Sequence, residues 1–363
     1  MQISRRSLGA LAPFFAGLCL LLLLLINAEA TTVGVRRGVS LCLETLLPSL
    51  FPFLVVSEWL VRSNVGEWLG RYPGRPLCRL LGLSERGAAA LLLGLLCGFP
   101  VGTVAAVSYC KCGEMSEAEL RRLVLFINNP GTGFLIGAVG RSLFGNEAAG
   151  VVLFLSVWLS SLLIGIFLRI LCGPVPQIPE KPSNGMKKAS FFTDLTESVS
   201  GALPTLLQIF SFVIFFSSLS ASMAALPLIA GLPAKGLVLL TGLPEMTSGI
   251  SAAVTLLPPE EAFRAAALLA GTAGLSICMQ LYAIAGAYAP RLSAYLLANG
   301  VQGCLTLLLA SLYLWLLRPP LVTAQSMATF AQNTLQQLLT AAVPLTLLLL
   351  GFLVIFARRK AKK

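Results

Sequence analysis

Ten apolar stretches recur along this chain, at about 8–28, 38–61, 87–109, 123–143, 148–171, 196–222, 234–256, 263–288, 291–317 and 335–357. Each reaches the roughly 20 residues that an α-helix needs to cross about 30 Å of hydrocarbon. No soluble domain can bury so many such segments. Charged residues make up 11% of the chain, against about 25% in an ordinary soluble domain. The sequence therefore predicts an all-α polytopic membrane protein.

The net charge of +11 would suggest nucleic acid in a soluble protein. Here the basic residues lie between apolar segments and in the tail Arg358-Arg359-Lys360-Ala361-Lys362-Lys363. They read as cytoplasmic loop charge rather than a nucleic-acid surface. Arg5 and Arg6 precede the first apolar run, and Ala28-Glu29-Ala30 resembles a signal-peptidase site. The run from Leu8 to Ile26 is long enough to span, and an uncleaved first helix is the favoured reading.

The chain contains no His, which removes the commonest general base. The nine Cys are scattered, and the Cys110-Lys111-Cys112 pair lacks the further ligands a zinc site needs. No nucleotide-binding loop is present. These absences argue against an enzyme, an ATP motor, a metal centre or a bound cofactor.

Features recur in the same order in two parts of the chain. Val39-Ser40 through Leu46-Leu47 matches Val199-Ser200 through Leu206-Leu207. Gly98-Phe99-Pro100 matches Gly242-Leu243-Pro244. An acidic stretch follows each Gly-x-Pro: Glu114, Glu117 and Glu119, then Glu260 and Glu261. Each acidic stretch leads into small or amide residues, Asn128-Asn129-Pro130-Gly131-Thr132-Gly133 and Gly271-Thr272-Ala273-Gly274. The chain thus divides into 1–37 (first membrane helix and loop), 38–171 (first repeat), 172–195 (a Pro-rich cytoplasmic linker), 196–317 (second repeat) and 318–363 (last helix and basic tail).

Charge decides between two topologies. If all ten segments span with the N-terminus inside, 15 of the 26 Lys and Arg lie inside. If the two Gly-x-Pro segments are re-entrant hairpins, 20 lie inside and 6 outside. The positive-inside rule prefers the second. It gives about eight spanning helices, two re-entrant hairpins, and both termini cytoplasmic. Each half then has three spans, an odd number, so the second half is inverted. Inverted repeats with broken helices are the architecture of secondary transporters.

On that topology the candidate substrate-binding residues are Gly98, Phe99, Pro100 and Gly102 at the first tip. Gly242, Pro244, Thr247 and Ser248 occupy the second. Asn128, Asn129 and Thr132 lie where Pro130 should break a helix. Glu245, deep in an apolar segment, is the candidate for a coupling proton or cation. Capping of a helix N-terminus is its structural alternative. Gln208, Gln280, Asn299 and Gln302 read as packing amides.

Three stretches together resemble a known family: Leu50-Phe51-Pro52-Phe53-Leu54-Val55-Val56-Ser57, Leu93 through Gly102, and Arg122-Leu123 through Gly140. They are similar to the YlbJ or SpoVV family of sporulation integral membrane proteins, which carries the nucleoside-recognition or Gate domain. The resemblance spans about residues 36–320. It implies a role in endospore formation, moving dipicolinic acid across the outer forespore membrane, with Gly98, Pro100, Gly102, Asn128, Asn129 and Glu245 at family motif positions. The expected partners are a small anionic substrate and the lipid bilayer. A homo-oligomer or other sporulation membrane proteins stay open. A nucleoside or other small-solute carrier, and a non-transporting sporulation scaffold, are the alternatives.

Overall fold

The computed structural model describes residues 5–62, 65–173, 175 and 191–317. The last apolar segment and the basic tail lie outside the described residues, as does most of the linker. Every regular element among the described residues is a helix. In order they are α1 (Arg5–Ile26), α2 (Ala28–Ser40), a π-helical stretch (Leu41–Leu46), α3 (Leu47–Arg62), α4 (Val65–Arg71), α5 (Arg75–Leu81), α6 (Glu85–Cys97), α7 (Val101–Lys111) and α8 (Glu117–Leu123). A second π-helical stretch (Gly133–Leu143) leads to α9 (Glu147–Cys172). Then come α10 (Phe191–Ala224), α11 (Pro227–Ala230), α12 (Ala234–Gly242), α13 (Met246–Leu256), α14 (Pro259–Thr272), α15 (Gly274–Ala285), a 3₁₀ turn (Gly286–Tyr288) and α16 (Leu292–Leu317).

Four helical runs are long and apolar enough to cross a membrane, or six if two bent pairs each count as one span. The sequence expectation of about eight spans is therefore not matched one for one. Two boundaries also move. Arg36 and Arg37, expected in a loop, lie within α2, and the chain bends by 93° just before that helix instead. α10 starts at Phe191, inside the expected linker 172–195. The segment 123–143 is not one helix either. It is irregular between α8 and Gly133.

Both Gly-x-Pro sequences are turns between two short helices packed on each other. α6 with α7, and α12 with α13, form hairpins whose arms are roughly 14–20 Å long. Their arms touch through paired glycines. A Cβ on Gly102 would sit 2.6 Å from the Gly94 Cα, and one on Gly249 would sit 2.1 Å from the Gly242 Cα. Only backbone against backbone permits this closeness.

The two ends of each hairpin come back together. At the first base Arg86 Nε meets Glu114 Oε2 at 2.9 Å. At the second Lys235 Nζ meets Glu261 Oε1 at 3.0 Å. The bases lie at opposite ends of α9. Beside the first base, Glu119 Oε1 accepts from Ser84 N at 2.7 Å, and Arg122 one turn on donates to Leu81 O and to Gly173 O, just past the end of α9. Near the second base, Phe263 stacks edge-on against Phe144, just before the start of α9, with ring centroids 5.7 Å apart. α9 has 26 residues, so about 39 Å separates those ends.

Candidate functional site

Each hairpin tip presses on the break in the helix that follows it. At the first tip Gly98 has φ +83°, which ends α6, and its carbonyl accepts from Val101 N. The Phe99 N–H donates to Asn129 O at 2.7 Å, and Thr132 Oγ1 donates to Leu96 O at 3.0 Å. A Cβ on Gly98 would fall 2.3 Å from Gly131 N, so a side chain there would separate tip from break.

At the second tip the direction of bonding is reversed. Leu275 N donates to Leu243 O at 2.8 Å, and Ser276 N to Pro244 O at 2.9 Å. The break is sharper here: Ala273 and Gly274 both have positive φ, 61° and 76°. The groups that a broken helix leaves unpaired thus find partners on the hairpin, as buried backbone requires.

One pocket, of about 60 Å³, touches both tips and both breaks. Phe99, Pro130, Gly131 and Phe134 come from the first tip and break. Glu245, Met246, Thr247, Ser276, Ile277 and Gln280 come from the second. Leu46 and Leu50, and Ile209 and Val213 of α10, close the sides. The first and third of these lie in or just beyond the two matching sequence stretches. Among the described residues the wall is mostly apolar, with one carboxylate and no Lys or Arg.

Glu245 is 3% exposed and is the N-cap of α13. Its Oε1 accepts from Thr247 N at 3.0 Å, and its Oε2 accepts from Ser248 N at 2.6 Å and from the Thr247 hydroxyl. The capping alternative is therefore realised, but in the interior and at the pocket wall rather than at an aqueous edge. The positive end of α13 offsets part of the charge. Ser217 Oγ lies 3.3 Å from Ser248 Oγ behind this cap.

The paired amides face elsewhere. Asn128 donates to Val124 O at 2.6 Å and accepts from the Thr103 hydroxyl. Asn129 donates to Phe126 O and Ser161 Oγ and accepts from Gln302 Nε2 at 2.5 Å. Neither borders the pocket. They hold the unwound stretch, and through Gln302 they tie it to α16. Of the sequence candidates the structure brings Phe99, Glu245 and Thr247 to the pocket. Gly98, Pro100, Gly102, Gly242 and Pro244 shape the hairpins, and Ser248 and Thr132 brace them.

Sequence reasoning assigned Gln280 to packing, yet it lines the pocket and donates to Ser276 Oγ at 3.1 Å. The Ser276/Gln280 pair, four apart on an apolar helix, was the available signal. The apolar liners carried none, since an apolar residue facing a cavity reads like one facing lipid.

The chain is 25% identical over 362 aligned positions to the sporulation integral membrane protein YlbJ of Bacillus subtilis (strain 168), covering 89% of this chain and 86% of that protein. The chain is thus similar along most of its length to a sporulation integral membrane protein. No protein-family profile matches the chain, and no solved structure matches it. The similarity to YlbJ runs through both hairpins, so the paired tips belong to the part that the two proteins share in length.

Proposed function

We propose that this YlbJ-like protein is a secondary carrier for a small solute, built as an inverted repeat of about eight spans with two re-entrant hairpins. The observation that supports the reading is a pocket bordered by both tips, Phe99 on one side and Glu245 on the other. The clasps Arg86–Glu114 and Lys235–Glu261 favour hairpins that each return to the face they enter. Their placement at opposite ends of α9 favours insertion from opposite leaflets. Alternating access would then open one tip–break contact while the other stays shut.

The chemistry of the wall constrains the substrate. A free dianion meets a buried carboxylate and no cation, a costly pairing in a low-dielectric site. Dipicolinate, which the resemblance implies, fits as a neutralised species: doubly protonated, or carried with a cation held against Glu245. Its flat ring suits Phe99 and Phe134. The second reading, a nucleoside-like solute, is favoured by the same absence of cationic liners and by the Gln280 amide. A ring-sized solute requires the walls to part, since about 60 Å³ holds only a few waters.

The test is uptake of labelled dipicolinate into proteoliposomes, with and without a proton gradient or calcium, and with nucleosides as competitors. Uptake that Glu245→Gln and Phe99→Ala leave unchanged would remove the pocket from the pathway. Uptake of a labelled nucleoside, with no dipicolinate flux, would select the second substrate.

A further inference from the structure

Many of the described arginines are matched with a carboxylate. Arg71 meets Glu85, Arg86 meets Glu114, Arg121 meets Glu117, Arg141 meets Glu147 and Arg264 meets Glu260. Arg75, Arg79 and Arg169 are different. Among the described residues no carboxylate pairs with any of them. Yet all three line one open cleft of about 660 Å³, together with Tyr72, Pro76 and Leu80.

The fold explains why the cations converge. Arg75 and Arg79 are four apart on α5, so they share a face. A bend of 104° between α5 and α6 turns that short helix across the direction of the hairpin. Arg169 stands in the last turn of α9 and reaches the same cleft. Just behind it Arg122 is buried and bonded to Leu81 O, Gly82 O and Gly173 O. Burial lowers the Arg122 pKa against the opposing Glu119 charge, and the nearby Arg169 charge adds a smaller push downward. Glu119 faces the buried Arg122, whereas Arg75, Arg79 and Arg169 at the cleft have no paired carboxylate among the described residues.

Its surroundings are those of a bilayer boundary. Leu155, Leu159, Leu163, Phe167 and Leu171, spaced by four, are exposed along α9 and lead towards the cleft. Ile170 is 74% exposed beside Arg169, and Leu80 is exposed beside Arg79. Tyr72, also exposed, pairs with Trp68 at a ring-centroid separation of 5.8 Å. Aromatic side chains of this kind mark the headgroup level. An occupant must therefore be anionic at one end and apolar at the other.

We propose that the α5–α9 cleft seats an anionic phospholipid, its phosphate held by Arg75, Arg79 and Arg169 and its acyl chains lying along Leu80, Phe167 and Ile170. Guanidinium groups suit phosphate because their fork geometry matches its oxygens. A soluble acidic partner would find the charges but would leave the apolar stripe uncovered. The site does not depend on the transport reading, only on the membrane setting of the chain.

The test is native mass spectrometry of the full-length protein, released from micelles containing phosphatidylglycerol or phosphatidylcholine. Phosphatidylglycerol should be retained at least about tenfold better. Each of Arg79→Gln and Arg169→Gln should cut its retention about fivefold, as expected for about 1 kcal/mol per basic residue near an anionic surface. Arg121→Gln, an exposed and paired arginine elsewhere, should change nothing. Thermal unfolding of each variant checks that it is folded, and Arg79, exposed on a short helix, is the safest of the set. Equal retention of the two lipids overturns the proposal, as does unchanged retention in both variants. Displacement of phosphatidylglycerol by millimolar inorganic phosphate would assign the cleft to a free phosphate compound and overturn it too.

Discussion

The backbone N–H of Phe99 donates to the carbonyl of Asn129 at 2.7 Å, joining the first hairpin tip to the unwound stretch after α8. One bond thus satisfies a donor at a tip and an acceptor in a broken helix. The same logic recurs at Leu275 and Leu243, with donor and acceptor exchanged. Each half can then keep irregular backbone at membrane depth without exposing it to lipid.

On the proposed topology the clasped bases put the loops flanking each hairpin on one face. In proteoliposomes, native Cys112 and a cysteine placed at Arg79 should react with an impermeant maleimide from one side. A cysteine placed at Lys235 should react from the other. Reaction of Cys112 and the position-79 cysteine from opposite sides would mean that the first hairpin crosses the bilayer.

Glu245 supports α13 through two backbone N–H groups and a hydroxyl. Glu245→Ala leaves those donors buried and unpaired and should cost about 1–3 kcal/mol. Glu245→Gln keeps one acceptor and removes the charge, so it should unfold closer to wild type. Thermal unfolding in detergent separates the two. A fully stable Glu245→Ala would argue that water replaces the cap.

Gly249 has no room for a methyl group, because the obstacle is the Gly242 backbone. Gly249→Ala should destabilise by about 1–3 kcal/mol or splay the hairpin. Gly137, with nothing within 4 Å of its would-be Cβ and no positive φ, is the control. Gly137→Ala should be neutral or slightly stabilising. Equal effects at the two positions would contradict the close arm contact.

Asn129 and Gln302 hydrogen-bond across 173 positions of chain. A double-mutant cycle with Asn129→Ala and Gln302→Leu should give a coupling of about 0.6 kcal/mol, and no more than about 1.7, the range for interhelical hydrogen bonds in membranes. No coupling would mean that this bond adds nothing to the packing and to the Ser160–Thr306 hydroxyl contact that also joins α9 to α16.

Glu119 lies outside the candidate spans. Burial raises its pKa, outweighing the Ser84 hydrogen bonds and the Arg122 charge that lower it. A carboxyl raised on folding favours the folded state most when protonated. Its contribution is full below the ordinary value of 4.5 and is lost as the pH rises through the raised one. Glu119→Gln should flatten the fall in unfolding temperature over that window. An unchanged slope would assign the fall to other groups.

Some of this was legible in the residues. Scarcity of charge fixed the membrane class, because no arrangement of this chain could face water. Gly-x-Pro located both helix–turn–helix hairpins, because Pro and Gly act on their own backbone. The family resemblance agreed with the similarity to YlbJ. Span count was less legible: apolar length does not distinguish one long helix from two short ones meeting at an angle.

What each polar residue does was decided only in three dimensions. Asn129 and Glu245 are both polar residues in apolar runs. The first turned inward to Ser161 and Gln302, the second to the head of its own helix and the pocket wall. The Glu245 cap was an open alternative in the sequence because its partners are two and three residues on, whereas Asn129 takes Ser161 and Gln302 from distant segments that only the packing brings near. Arg75, Arg79 and Arg169 likewise became one cleft only when α5 folded across the end of α9.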